Sequence, residues 1–177
     1  MKKKGFTLIE LMITLTIFAI FSAYLYQTFF SQIRQSFSLN NNIDVQYNVN
    51  KSLNMLTDNI RSYSSTNGTK ILKSSDGSKS ISINQNGEIQ VNSINDNGNI
   101  VNVLSNFPES GSPPPSDIQY DSINKTLYFK NDNQNKCFNI DSVDFSTENK
   151  NGIIVITVSV LKGNVHIESS TAVNVKK

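Results

Sequence analysis

The apolar run from Phe6 to Phe30, led by Lys2, Lys3 and Lys4 and broken only by Glu10, constrains this chain more than any other feature. As an α-helix it extends roughly 38 Å at about 1.5 Å per residue, enough to cross the hydrocarbon core of a bilayer. By the positive-inside rule the three lysines stay on the cytoplasmic side, which sends the rest of the chain outward. A secretory signal instead has an apolar core of about 7–15 residues that ends at a small-residue cleavage site. This run exceeds that length, and the positions two before Ala19 and Ala23 are the bulky Ile17 and Phe21. A plain single-pass anchor suits the length but accounts for neither Gly5 nor Glu10. A charged side chain at the centre of a bilayer costs roughly 2.5–3.5 kcal/mol on insertion scales, so a lone intramembrane acid points to a function.

Taken in order, "KKKGFTLIELMITLTIFAIF" resembles the class III signal of type IV pilins and pseudopilins: a short basic leader, Gly, Phe-Thr-Leu-Ile-Glu, then an apolar helix. The resemblance implies cleavage between Gly5 and Phe6 by prepilin peptidase, a membrane aspartyl protease, followed by N-methylation of Phe6. It also implies that Glu10 neutralises the N-terminal amine of a neighbouring subunit as it leaves the bilayer for a filament. The chemistry of these positions agrees. Gly5 has no Cβ, so its backbone can enter a protease cleft closely. Loss of the three lysines takes the formal side-chain charge from +2 to −1 (2 − 3 = −1), while the new Phe6 amine adds a positive charge at the helix start. A buried charge such as Glu10 is tolerated when paired. The partners so implied are prepilin peptidase, other pilin or pseudopilin subunits, the inner-membrane assembly platform and membrane lipid. The implied location is the cytoplasmic membrane, spanned once with the N-terminus cytoplasmic and the head outside, and then a surface pilus or pseudopilus.

No glycine lies between Gly5 and Gly68, and no proline precedes Pro108, so nothing in that interval stops a helix. Val49, Leu53, Leu56, Ile60 and Tyr63 recur in steps of three and four, the stripe of an amphipathic helix. One helix from about 7 to 64 is therefore predicted. The weak point is "SLNNNID", residues 38–44, whose Ser and Asn residues are poor helix formers and could melt or kink it.

From Asn67 the texture changes to short alternating runs separated by Asn67-Gly68, Asp76-Gly77, Asn86-Gly87 and Asn97-Gly98. Such alternation reads as half-buried strands joined by tight turns. Pro113 to Pro115 lie in a loop, since proline cannot pair inside a sheet. Strands resume with "DIQYD", "TLYFKN", "KCFNI", "VDFST", "GIIVITVSVL" and "NVHIESSTAVNV", and Ile153 to Leu161 reads as a central strand. The fold class is α+β: a long N-terminal helix and an antiparallel β-sheet head, the pilin-like fold the resemblance implies. The expected division is 1–5 leader, 6–30 transmembrane or filament-core helix, 31–66 amphipathic helix under the head, and 67–177 β-rich head.

The stretch "NKSLNMLTDNIRSYSS" and the closing "VHIESSTAVNVKK" resemble J-type pseudopilins and PilW-type minor pilins. That likeness implies a minor subunit that primes assembly at a filament tip, in a pilus, a secretion pseudopilus or a DNA-uptake pseudopilus. The rival reading is a membrane-anchored binding module or adhesin. An enzyme is disfavoured because no nucleophile–base pair emerges, and no cofactor or metal site is expected. His166 alternates with Val165 and Ile167 as a strand residue, and Cys137, the one cysteine, reads as a small buried hydrophobe. "NSINDNGNI" lacks the first acid and distant glutamate of a calcium loop. Asn67-Gly68-Thr69 and Asn124-Lys125-Thr126 match the glycosylation triplet, as expected by chance in so Asn-rich a chain. The net charge of +2 is scattered, with no basic face for nucleic acid.

Overall fold

The computed structural model describes residues 7–63, 68–83, 88–93, 98–108, 117–148 and 152–175. It divides into two compact units, Met1–Asn41 and Asn42–Lys177. One helix, α1, spans Leu8–Tyr63, against the 7–64 expected. Residues 38–44 remain helical. Each Ser or Asn costs a few tenths of a kcal/mol relative to Ala, but an interior break would also forfeit propagation and require a new nucleus.

In the first unit the large apolar side chains of α1 face outward, Leu8 at 77% and Ile20 at 72% exposure. A surface this apolar needs lipid or a partner helix to cover it. Threonine hydroxyls here bond within the helix: Thr14 Oγ1 donates to Leu11 O at 2.8 Å, and Thr28 Oγ1 to Tyr24 O at 2.9 Å. The helix is long and apolar enough to cross a membrane.

In the second unit the remainder of α1 turns Val45, Val49, Leu53, Leu56 and Ile60 into the core. The strands are β1 (Gly68–Lys73), β2 (Lys79–Ile83), β3 (Ile89–Ser93), β4 (Ile100–Pro108), β5 (Ile118–Asp121), β6 (Thr126–Phe129), β7 (Asp132–Cys137), β8 (Ile140–Glu148), β9 (Ile153–Lys162) and β10 (Val165–Asn174). All pairings are antiparallel. The head divides into a seven-stranded sheet, ordered β3-β2-β1-β4-β5-β6-β7, and a three-stranded sheet, ordered β10-β9-β8. The most apolar run, Ile153 to Leu161, is the centre of the smaller sheet, with Ile154, Ile156, Val158 and Val160 buried. Alternate residues of a strand share one face, which is why these four reach the same core.

The sheets separate inside "KCFNI", which is read as one strand from its sequence. Here β7 ends at Cys137 and β8 starts at Ile140, with Asn139 at φ 61° between them. Asn tolerates that left-handed conformation better than most residues. The helix holds the break in place: Asn48 Oδ1 accepts from Phe138 N at 3.0 Å, and Lys51 Nζ donates to Lys136 O at 3.0 Å. The Asp76-Gly77 turn forms as expected. Gly77 has φ 69°, and Asp76 Oδ1 accepts from Ser78 N at 3.0 Å and from the Ser74 hydroxyl. The Ser74 and Ser78 bonds hold the Asp76 carboxyl below its usual pKa. Asn67, Asn86-Gly87, Asn97 and Pro113 to Pro115 lie outside the described residues.

The last turns of α1 are tied to β1 by a buried lysine. Lys70, only 2% exposed, donates from Nζ to Asn59 O at 2.6 Å and to Ile60 O at 3.1 Å. Carbonyls near a helix C-terminus lack intrahelical donors and carry partial negative charge, so an amine donor suits them. Burial disfavours its charged form and lowers the Lys70 pKa to about 7.

Candidate assembly site at the helix N-terminus

The first residues of α1 form a closed hydrogen-bonded unit. Thr7 precedes the helix and caps it. Its N–H donates to Glu10 Oε2 at 3.0 Å and its Oγ1 to the same oxygen at 2.8 Å, while Glu10 N approaches Thr7 Oγ1 at 3.4 Å. This is the reciprocal capping box of Ser/Thr-x-x-Glu, which satisfies donors that the first turn leaves unpaired. The acid also lies where the helix dipole favours negative charge. Around it Leu8, Ile9 and Leu11 are exposed, so the carboxylate stands on an otherwise apolar helix end. The local pattern Thr7-Leu8-Ile9-Glu10 carries this box in the sequence; the reading of Glu10 as an acid awaiting a neighbour passes over it. Gly5 and Phe6 lie outside the described residues.

The two titratable side chains of the head singled out from sequence are His166 and Cys137. His166 Nε2 is 2.7 Å from Ser159 Oγ on adjacent strands. Cys137 is fully buried, and burial raises its thiol pKa to about 11 against a weaker opposing pull from Lys51. Asp121 closes the β5–β6 turn, accepting from Ile123 N at 2.9 Å and from Asn124 N at 3.1 Å. The Asn124 side chain of the glycosylation triplet donates to the same carboxylate at 2.7 Å. These bonds, those from Asn124 first, lower the Asp121 pKa. Tyr120 donates from its hydroxyl to Ile140 O and Asp141 O, both at 3.1 Å, and burial raises its pKa. An open groove of about 430 Å³ runs beside Lys51, Met55 and Asp58 of α1 and Phe129 of β6. Among the described residues no group of three His, Cys, Asp or Glu side chains gathers at metal-binding range. Ile94 to Asn97 of "NSINDNGNI" lie outside them, as do Asn67 and the proline loop.

Comparison with known proteins bears on the N-terminus alone. Residues 1–26 match the prokaryotic N-terminal methylation motif. No curated protein and no solved structure matches the chain. The motif spans the basic residues, Gly5, Phe6, the capping box and most of the apolar run. Within the second unit an α+β head packs on the later part of α1. Residues 1–26 are the class III signal of the type IV pilins and pseudopilins, joined to a pilin-like architecture of one long helix and antiparallel sheets.

Proposed function

We propose that this protein is a structural subunit, and a minor one, of a type IV pilus or related pseudopilus. Prepilin peptidase cuts it between Gly5 and Phe6, and Phe6 is then N-methylated. The subunit stays in the cytoplasmic membrane through α1 with its head outside. It joins other subunits at the assembly platform through the apolar helix and Glu10. The observation that carries the reading is the N-terminal methylation motif at residues 1–26 on a helix with an uncovered apolar surface. The likeness of "NKSLNMLTDNIRSYSS" to J-type and PilW-type sequences supports the minor role.

The capping box adds a step to this reading. Before assembly Glu10 is satisfied within its own helix by Thr7. Cleavage creates a positive amine on Phe6, next to Thr7. A neighbour's amine then competes with the box for the same carboxylate. An N-cap interaction is worth about 1 kcal/mol, whereas a charge pair in a low-dielectric helix bundle gains more when its geometry is good. The box keeps the acid ordered without holding it against exchange.

Mass spectrometry of the protein purified from its own cells tests this reading. The expected N-terminus is N-methylated Phe6. An N-terminus at Met1 in the mature, membrane-anchored protein would leave a plain anchor as the better description.

A further inference from the structure

The head has four sheet edges, and three of them are blunted. Strand β3 is five residues long. The β6–β7 pairing shifts register between Tyr128 and Phe129. The β8–β9 pairing shifts between Ile140 and Ser142, and β8 is covered at Val143, whose N–H donates to Ser75 Oγ at 2.9 Å and whose carbonyl accepts from Ser75 N at 2.8 Å. Short strands, bulges and covering loops are the usual protection against edge-to-edge association.

Among the described residues the fourth edge, β10, has none of these. It pairs with β9 over ten consecutive residues without a shift and contains no proline and no lysine. Lys162 and Val165 flank the two-residue turn Gly163-Asn164, so that pair exchanges its backbone hydrogen bonds and the odd-numbered residues follow it. Val175 N donating to Gly152 O at 2.8 Å keeps the same parity. The peptide groups of His166, Glu168, Ser170 and Ala172 therefore point away from β9, along the edge. Their side chains lie on the exposed face, whereas Val165 and Ile167 turn toward the core and stay only partly buried.

We infer that β10 pairs antiparallel with β10 of a second copy of this chain, about a two-fold axis at Ile167. Charge selects both partner and register. The edge-pointing residues can only bond edge-pointing residues of the partner, which leaves a few registers. Centring on Glu168 opposes two carboxylates. Centring on Ser169 or Ser170 leaves Glu168 opposite Ser170 or Ala172. Centring on Ile167 sets His166 opposite Glu168 twice, each pair exchanging both backbone hydrogen bonds. It also puts the two Ile167 side chains in contact on the core-facing side, at the close separation of a non-hydrogen-bonded pair. His166 meets Ser159 through Nε2, so contact with the second Glu168 falls to Nδ1. The pairing needs neither cleavage nor filament, so it stands or fails apart from the pilin reading.

The experiment is disulfide cross-linking of the full-length chain in membranes, where the parent's lone cysteine is buried. With mild oxidant, Ile167→Cys is expected to give a covalent dimer on a non-reducing gel. Thr171→Cys is not, because each Thr171 falls opposite Gly163 of the other copy. In detergent the full-length parent is expected to sediment as a dimer. Glu168→Lys should lower the dimer fraction about fivefold at fixed concentration, and adding His166→Glu should restore it. Both charge changes are on the exposed face, so they test the pairing even where Ile167→Cys loosens the head. Absence of the Ile167→Cys dimer, equal cross-linking at Thr171, or a charge swap that fails to restore association overturns the proposal.

Discussion

Glu10 accepts from Thr7 twice through one oxygen, from the backbone nitrogen at 3.0 Å and from the hydroxyl at 2.8 Å. A cap and an intersubunit charge make different demands on that side chain. Glu10→Gln keeps an acceptor for Thr7 and loses the charge, whereas Thr7→Ala keeps the charge and costs about 1 kcal/mol of cap. We expect Glu10→Gln to be cleaved normally and yet absent from sheared filaments or cross-linked subunit complexes. Thr7→Ala should still assemble. Wild-type incorporation of Glu10→Gln would reduce Glu10 to a capping residue.

The cleavage proposed after Gly5 requires close approach of the backbone to a protease. Gly5→Ala adds a Cβ at that point. Unprocessed chain should accumulate, seen on a gel as a band heavier than the mature protein by the leader.

Lys70 sits against Asn59 O and Ile60 O with its pKa lowered from 10.5 to about 7 by burial. The unfolded chain keeps that proton up to 10.5, while the folded chain gives it up near 7. In that window the unfolded state binds more protons, so this group makes stability rise with pH. Urea unfolding of the full chain in detergent should move to higher midpoint from neutral to alkaline pH, and Lys70→Met should flatten the change.

Leu56 has no exposed surface at the centre of the α1 stripe. Leu56→Ala is expected to destabilise the head by roughly 2–5 kcal/mol, from lost transfer energy and a residual cavity. Ile123, 71% exposed in the β5–β6 turn, is the control, and its replacement by Ala should change stability by less than about 0.5 kcal/mol. Equal urea midpoints for the two variants would contradict the packing described.

Cys137 is buried, with its thiol pKa raised to about 11. The thiolate is the reactive form. A thiol reagent should label the folded chain slowly and the urea-unfolded chain fast. Rapid labelling of the folded chain would show the β7–β8 break to be open.

The helix, the signal and the Asp76-Gly77 turn were legible in the sequence because each depends on residues close together in the chain. The absence of Gly and Pro from 6 to 67 and the stripe from Val49 to Ile60 predict α1. The order Gly5-Phe6-Thr7-Leu8-Ile9-Glu10 marks the N-terminal signal, and Asp76-Gly77 marks its turn. Even the capping box was readable there as Thr-x-x-Glu. Tertiary structure alone decided the division into two sheets, the end of β7 at Cys137, the burial of Lys70 on the helix carbonyls and the meeting of Ser159 with His166. The physical reason is that alternation specifies which residues of a strand face the core but not which strand lies beside it. Pairing partners and sheet edges are set by contacts between residues far apart in sequence, where loop closure and packing decide among arrangements with the same local pattern.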